Sequence, residues 1–328
     1  MTTYYGLYGQ KVQYLASDPT DVQTGQVWYN STSATLKVRE VSTVGTFSSG
    51  GNLATARSGL AGAGTQTAGL AFGGSTPPKT GATELYNGTS WTTSPNSMNT
   101  VRYLFAGAGT QTAALGFGGY INTPTASTAT EEWDGTSWTS QTPSALSPRY
   151  GHGGCGTQTA ALAFGGSVYT DRLTSTQNYD GSAWTSGGNM NTARVYLYGT
   201  GTNTAALAFA GFNPLTNVTS TELYNGTSWT SNPTGLNTAR RVLAGAGTQT
   251  ATVAFGGFTA TQVASTELWN GTSWTNNPTG LATARSSLYG AGTQTAGLAF
   301  GGDLPGNSTA TEEFTGPGAA TTKTVTVT

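Results

Sequence analysis

The chain has 328 residues, 8% of them charged, with a formal net charge of -1, so no basic field exists to draw in nucleic acid or an anionic membrane surface. Its apolar runs are short and broken by glycine, which excludes a membrane-spanning helix, and its one cysteine, Cys155, excludes an internal disulfide. Solubility must come from Thr, Ser, Asn, Gln and Gly, residues that suit turns and strands better than helices.

In chain order, Met1 to Gln10 carries neither a positive n-region nor a continuous apolar h-region, so no secretory signal is expected there and folding in a cytoplasm is. Residues 25–38, GQVWYNSTSATLKV, alternate well enough for a β-hairpin, with Asn30 to Ala34 as the turn and Trp28 and Leu36 as the candidate buried residues. From residue 47 a repeat takes over. Arginine recurs at Arg57, Arg102, Arg149, Arg194, Arg240 and Arg285, at steps of 45, 47, 45, 46 and 45, a period that signals an array. A small pair follows each at the same steps: Gly73 and Gly74, Gly118 and Gly119, Gly165 and Gly166, Ala210 and Gly211, Gly256 and Gly257, Gly301 and Gly302.

Within the first full repeat, strand a (SGLAGAG) follows Arg57, a GTQT turn leads to strand b (AGLAFGG), a variable loop leads to strand c (TELYN), and an NGTS turn opens strand d at Trp91. Four strands in about 45 residues make a propeller blade, and the absence of a 3.6-residue period excludes an α-solenoid. FSSGGNLATAR at 47–57 matches WTSGGNMNTAR at 184–194, so Phe47 stands where other repeats place Trp91, Trp138, Trp184, Trp229 and Trp274. The chain thus begins its repeats with a lone strand d and ends with strands a to c, the last around TEEFTG at 311–316. The expectation is an all-β, six-bladed propeller over 47–316, closed by that N-terminal strand joining the C-terminal three, which removes sheet edges. Residues 1–46 form an N-terminal attachment extension and 317–328 a C-terminal tail. Strand direction places both extensions on the tight-turn face and the b-to-c loops on the other.

Five glutamates, Glu84, Glu131, Glu222, Glu267 and Glu312, nearly match the six arginines, with Gln177 in the third repeat. Charges on packed strands need partners, so the set is expected to be a structural ring of bridges rather than a six-fold anion trap. Asn87, Asn225 and Asn270 open Asn-Gly-Thr triplets that look like glycan acceptors, but Asp134 and Asp180 occupy the same place, so a shared type I′ hairpin turn is expected. His152 falls where other repeats have Leu60, Phe105, Leu197, Leu243 and Leu288, and Cys155 where they have Ala63 and Ala108, so both are expected to pack rather than ligate a metal. No nucleophile elbow, P-loop or zinc-protease motif occurs, and the neighbouring acids Glu131 and Glu132, or Glu312 and Glu313, face opposite sides of a strand. Variation concentrates in the b-to-c loops, with Tyr120, Tyr169, Phe212 and Phe258 at or near the start of four of them and Asp171 and Arg172 in the third. Aromatics on a polar rim anchor sugars or protein partners, or plug blade interfaces.

The small pair after an apolar strand, then an acidic and aromatic strand, then a tryptophan resembles the kelch repeat of galactose-oxidase-like propellers over residues 47–315. The copper chemistry of galactose oxidases is not implied, because that site needs two histidines and His152 stands alone. The Gly-x-x-Trp-Tyr-Asn hairpin ending in Leu-Lys-Val, and the near-identical Thr- and Gly-rich blades, resemble structural proteins of tailed bacteriophages. The resemblance implies a non-enzymatic virion appendage, a tail or head fibre or decoration protein, made in the host cytoplasm, present in multiple copies and without cofactors. Its terminal extensions would meet other virion proteins, and its loop face a host-surface glycan or protein. The alternatives are a cytoplasmic kelch-type interaction adaptor and a carbohydrate-active enzyme.

Overall fold

The computed structural model describes residues 12–20, 22, 25–122, 125–142, 146–318 and 320–325; the reading of Met1 to Gln10 lies outside them. The chain divides into two compact units, one of residues 46–315 and one of both chain ends, up to 45 and from 316. Every regular element among the described residues is a β-strand.

In the larger unit, Ala61–Gly64, Gly69–Phe72, Thr83–Tyr86 and Trp91–Thr93 pair antiparallel in chain order as strands a, b, c and d. The same order recurs in the sheets that begin at Ala106–Gly109, Gly153–Thr157, Tyr198–Gly201 and Ala244–Gly247. In the sheet that begins at Tyr289–Gly292, strand c (Thr311–Thr315) takes its neighbour from the start of the unit: Thr46–Ser49 pairs with it antiparallel, Phe47 opposite Phe314. Strand a of each sheet lies beside strand a of the next, and Tyr289–Gly292 beside Ala61–Gly64, a propeller-like arrangement. The innermost strands approach too closely for side chains. A Cβ on Gly107 would sit 2.4 Å from the Gly62 carbonyl oxygen, and one on Gly290 2.3 Å from that of Gly245, so only glycine fits.

The core lies between neighbouring sheets. Strand b is apolar and buried on both faces (Gly69–Phe72, Ala114–Phe117, Ala206–Phe209) because each sheet is sandwiched by two others. In the sheets that open strand d with Trp91, Trp138 and Trp184, that strand buries its first residue, the tryptophan, and exposes the next two. That indole ties each sheet to the one before it. Trp138 Nε1 donates to Thr83 Oγ1 at 2.8 Å, and Trp91, Trp184, Trp229 and Trp274 donate at 2.9 Å to Thr311, Thr130, Thr176 and Thr221. Phe47 has no such donor, and the hydroxyl it would reach, Thr266 Oγ1, is buried without a partner.

The c-to-d turns differ from the sequence expectation. The Asn-Gly pair does not occupy both central positions of a type I′ turn. Asn87 is the first turn residue, its N–H donating to the Ser90 carbonyl, and of the two central residues Gly88 alone has positive φ, +91°, which suits glycine at the first central position of a type II′ turn. Asn87 Oδ1 accepts the N–H groups of Thr89 at 2.9 Å and Ser90 at 2.8 Å. Asp134 does the same with Thr136 and Ser137. These backbone donors, Ser137 foremost, hold the Asp134 carboxyl far below the usual range, which explains why Asn and Asp interchange here.

In the smaller unit, Val27–Asn30 and Thr35–Val41 form the expected hairpin, Tyr29 opposite Leu36 and Trp28 opposite Lys37. Residues directly opposite share a sheet face, so Trp28 and Leu36 lie on opposite faces; Trp28 is fully buried and Leu36, expected beside it, is only half-buried. Gln13–Leu15 adds to Val27–Asn30 in parallel, and Ala320–Val325, from the C-terminal tail, adds antiparallel to Thr35–Val41. Asp18 organises the fully buried Trp28. It accepts from Trp28 Nε1 at 3.0 Å and Asn30 Nδ2 at 2.7 Å, and pairs with Lys37 Nζ at 2.6 Å.

Candidate functional site

Each repeated arginine turns into its own sheet. Arg57 meets Glu84 at 2.8 Å, Arg102 meets Glu131, Arg194 meets Glu222 and Arg240 meets Glu267 at 3.2 Å, and Arg285 meets Glu312 at 3.1 Å. The carboxylates also accept backbone N–H groups of the d-to-a connection, as Glu84 does from Ala54 at 2.7 Å and Glu222 from Asn191 at 2.7 Å. In the third repeat Arg149 donates to Gln177 Oε1 at 3.0 Å, and the same oxygen accepts from Ser147 N–H. Burial pulls the Arg57 pKa down to about 10 against the opposing pull of Glu84. All six guanidinium groups are fully buried, so a ligand in solvent does not reach them.

The loop face is built from the residues that follow each arginine and each small pair. They meet as single antiparallel bridges: Ser58 with Ser75, Tyr103 with Tyr120, Tyr150 with Ser167, Val195 with Phe212, Arg241 with Phe258, Ser286 with Asp303. Inside them runs a cycle of backbone hydrogen bonds. Leu104 N–H donates to Gly59 O at 2.7 Å, Gly151 to Leu104 at 2.8 Å, Tyr196 to Gly151 at 2.6 Å, Val242 to Tyr196 at 3.0 Å, Ser287 to Val242 at 2.7 Å, and Gly59 to Ser287 at 2.8 Å. The geometry requires left-handed backbone at every one of these residues, from φ +47° at Val242 to +59° at Tyr196. Four of them are not glycine, and for β-branched Val242 the conformation is strained. Below the cycle, Tyr198 and Tyr289 replace the Ala or Gly of other repeats and fill the space between the innermost strands, ring centroids 5.5 Å apart. The Tyr198 hydroxyl donates to Gly290 O and the Tyr289 hydroxyl to Gly107 O, both at 2.9 Å. Burial pushes Tyr289 up to about 12.

Outside the cycle the face is unequal. Tyr120 stacks on Tyr103 at 5.5 Å and on Tyr150 at 3.8 Å, and Tyr150 lies 6.3 Å from Tyr196. Lys79 Nζ stands 5.6 Å from the Tyr103 ring and donates to Ile121 O at 2.6 Å. Farther round, the Arg241 guanidinium lies 4.8 Å from the Phe212 ring and 4.9 Å from the Phe258 ring, with Arg172 5.8 Å from Phe212. Tyr196 joins the two groups: its ring lies 6.3 Å from that of Tyr150, and burial pushes its hydroxyl pKa up against the opposing pull of Arg172 and Arg241. The remaining sector is polar: Ser58 Oγ donates to Asn307 Oδ1 at 2.8 Å, and Asn307 Nδ2 to Ser75 O at 2.8 Å.

Of the loop residues named from the sequence, Tyr120, Phe212, Phe258 and Arg172 come together in this arc. Tyr169 stands apart from it, 63% exposed at the tip of the hairpin made by Ser167–Val168 and Asp171–Arg172, its carbonyl accepting from the Tyr150 hydroxyl. Asp171 is exposed on the same hairpin. Sequence reasoning missed Tyr103, Tyr150, Tyr196, Lys79 and Arg241. Tyr103, Tyr150 and Arg241 directly follow a repeated arginine and Tyr196 lies two residues after one, positions where other repeats have Ser, Val, Gly or Leu; comparing those positions across repeats would have found them. His152 is buried at an interface between sheets, its Cε1 2.4 Å from where a Cβ on Gly118 would stand. Burial first, then Arg149 and Arg102, hold its pKa well below the usual value. The Cys155 thiol is buried and pushed up to about 12. At neutral pH the Cys155 thiol is therefore not the thiolate that attacks or ligates, and the His152 imidazole, though neutral, is enclosed between sheets. Compared with family models and with curated proteins, the chain matches none.

Proposed function

We propose that residues 46–315 are a closed, six-bladed, kelch-like propeller and that the chain is a non-enzymatic appendage of a tailed-phage virion, displaying its loop face to a host-surface glycan or protein. The observation that carries this reading is the contrast between a scaffold repeated nearly residue for residue and a loop face where aromatic and cationic side chains gather in one sector. Closure is supported by the cycle of backbone hydrogen bonds and by the pairing of Thr46–Ser49 with Thr311–Thr315. Thr46 and Thr315 pair with each other at the end of that sheet where other sheets carry the c-to-d turn, so both connections to the terminal unit leave the propeller at one edge, away from the loop face. The terminal unit serves as the attachment piece to other virion proteins, and the Trp-Tyr-Asn hairpin within it is the part that resembles phage structural proteins. Separate assays of particle incorporation and cell-surface binding test the division. Removing residues 1–45 should abolish incorporation and leave cell binding, whereas Tyr120→Ala with Phe212→Ala and Phe258→Ala should abolish cell binding and leave incorporation. The reverse pattern refutes the assignment of the faces.

A further inference from the structure

The propeller unit uses its arginines in two ways. Six are fully buried against glutamate or glutamine within the sheets. The other two, Arg172 and Arg241, stand half-buried on the loop face, and neither makes a salt bridge among the described residues. Arg172 gives Nη1 to Ser167 Oγ at 3.0 Å and Thr170 O at 3.1 Å, while its Nε is buried without an acceptor. Arg241 gives Nη1 to Asn217 Oδ1 at 3.1 Å, and Asn217 is itself fixed by bonds from Nδ2 to Phe258 O and Thr259 O. Both guanidinium groups are thus held against aromatic rings by neutral partners, with donor capacity left over. Lys79 supplies a third cation at the other end of the arc, beside a groove of about 670 Å³ lined by Pro78, Val101 and Ile121. Asp303, in the loop of the next sheet, lies beside the Phe258 hairpin, its Oδ1 accepting from Gly306 N–H and its Oδ2 from Gln262 Nε2 at 3.5 Å.

A guanidinium kept without a carboxylate, as those of Arg172 and Arg241 are, on a chain of 8% charged residues costs desolvation free energy unless an anion arrives. Around the cations lie half-buried tyrosine and phenylalanine rings, flat apolar surfaces on which the C–H faces of pyranose rings stack. The geometry points to an acidic saccharide as the ligand of this sector: sugar rings against Tyr103 and Tyr196, with Tyr120, sandwiched between Tyr103 and Tyr150, holding that surface in place, and carboxylate or sulfate groups on Arg172 and Arg241, with Lys79 taking the far end. The inference rests on the reading of the loop face as the binding face and names the chemistry of its ligand.

Titration calorimetry on the full chain tests it with four probes: oligogalacturonate, its methyl ester, a chondroitin sulfate oligosaccharide and poly-L-glutamate. Binding of either acidic saccharide, at least about tenfold tighter than the ester, is expected, since a charge-assisted bond to arginine contributes about 1.5–3 kcal/mol, and the affinity should fall as salt screens it. The uronate and sulfate arms tell the two anion sources apart. Arg241→Gln with Arg172→Gln should lose about tenfold or more on the acidic saccharide, Arg241→Lys with Arg172→Lys should keep part of it, and Tyr120→Ala should weaken acid and ester alike. Unchanged melting curves establish that the variants are folded. Equal binding of acid and ester, both lost in Tyr120→Ala, overturns the acidic ligand and leaves the loop face as a neutral-sugar platform. Poly-L-glutamate binding as tightly as the saccharides, or no saccharide binding at all, overturns the inference. Acid binding that none of the variants changes overturns both the inference and the choice of face.

Discussion

Phe47→Trp should stabilise the protein, and the reasoning can be checked term by term. Five strand-d tryptophans each donate an indole N–H to a threonine hydroxyl on the preceding sheet at 2.8–2.9 Å. At the sixth position Phe47 lies 5.8 Å from Phe255, where Trp138 lies 4.7 Å from Phe72 and Trp274 5.0 Å from Phe209; the ring fits more loosely and Thr266 Oγ1 is left buried and unpartnered. A net hydrogen bond contributes about 1 kcal/mol, which for a unit of this size is roughly 2–4 °C in melting temperature. Thermal or denaturant unfolding of Phe47→Trp, Thr266→Val and the double variant forms a cycle that isolates the bond. The gain from tryptophan should shrink by about 1 kcal/mol in the Thr266→Val background. Thr266→Val alone should be close to neutral, whereas Thr83→Val should cost about 1–3 kcal/mol because the Trp138 N–H is then buried without an acceptor. An equal tryptophan gain in both backgrounds, or a cost for Thr266→Val as large as for Thr83→Val, refutes the reasoning.

The third repeat holds the fully buried Arg149 against a neutral amide, so Gln177→Glu should raise the melting temperature by pairing the cation, while Arg102→Ala should cost about 3–5 kcal/mol by stranding the Glu131 carboxylate; a fall in stability for Gln177→Glu would mean the amide is the better partner there. In the terminal unit, bonds from Lys37 first, then Asn30 and Trp28, hold Asp18 down to about 2. A lowered folded-state pKa contributes stability that is complete above the unfolded value near 4 and is lost as pH falls from there through about 2. The Trp28 indole N–H resonance, followed by NMR in the folded state, should hold its position through about pH 4 and shift with a midpoint of about 2, and in Asp18→Asn it should be insensitive to pH across that window.

The architecture was legible in the sequence because it rests on short-range rules repeated many times. The arginine step, the small pair and the strand-opening tryptophan mark the four strands of each sheet, and the match of 47–57 to 184–194 names the strand that joins the two ends of the propeller unit. The glutamate series announced buried pairs because a charge in a packed sheet has few alternatives to an opposite charge. Other features depend on contacts between repeats. The Gln66 side chain, read in sequence as part of a hairpin turn, donates to Gly297 O and Phe314 O of the neighbouring sheet at 3.1 and 2.9 Å, which no local pattern encodes. The pairing of Ala320–Val325 with Thr35–Val41 joins segments at opposite ends of the chain. The aromatic and cationic arc is of the same kind. Tyr103, Tyr150, Tyr196 and Arg241 come from four different repeats, and each is unremarkable alone. Only the turn of one sheet against the next places them side by side, because the left-handed residues at the start of strand a bend the chain so that the positions after each arginine converge on one face. Sequence fixes what each repeat is; the packing of unlike repeats around one axis decides which of their side chains meet.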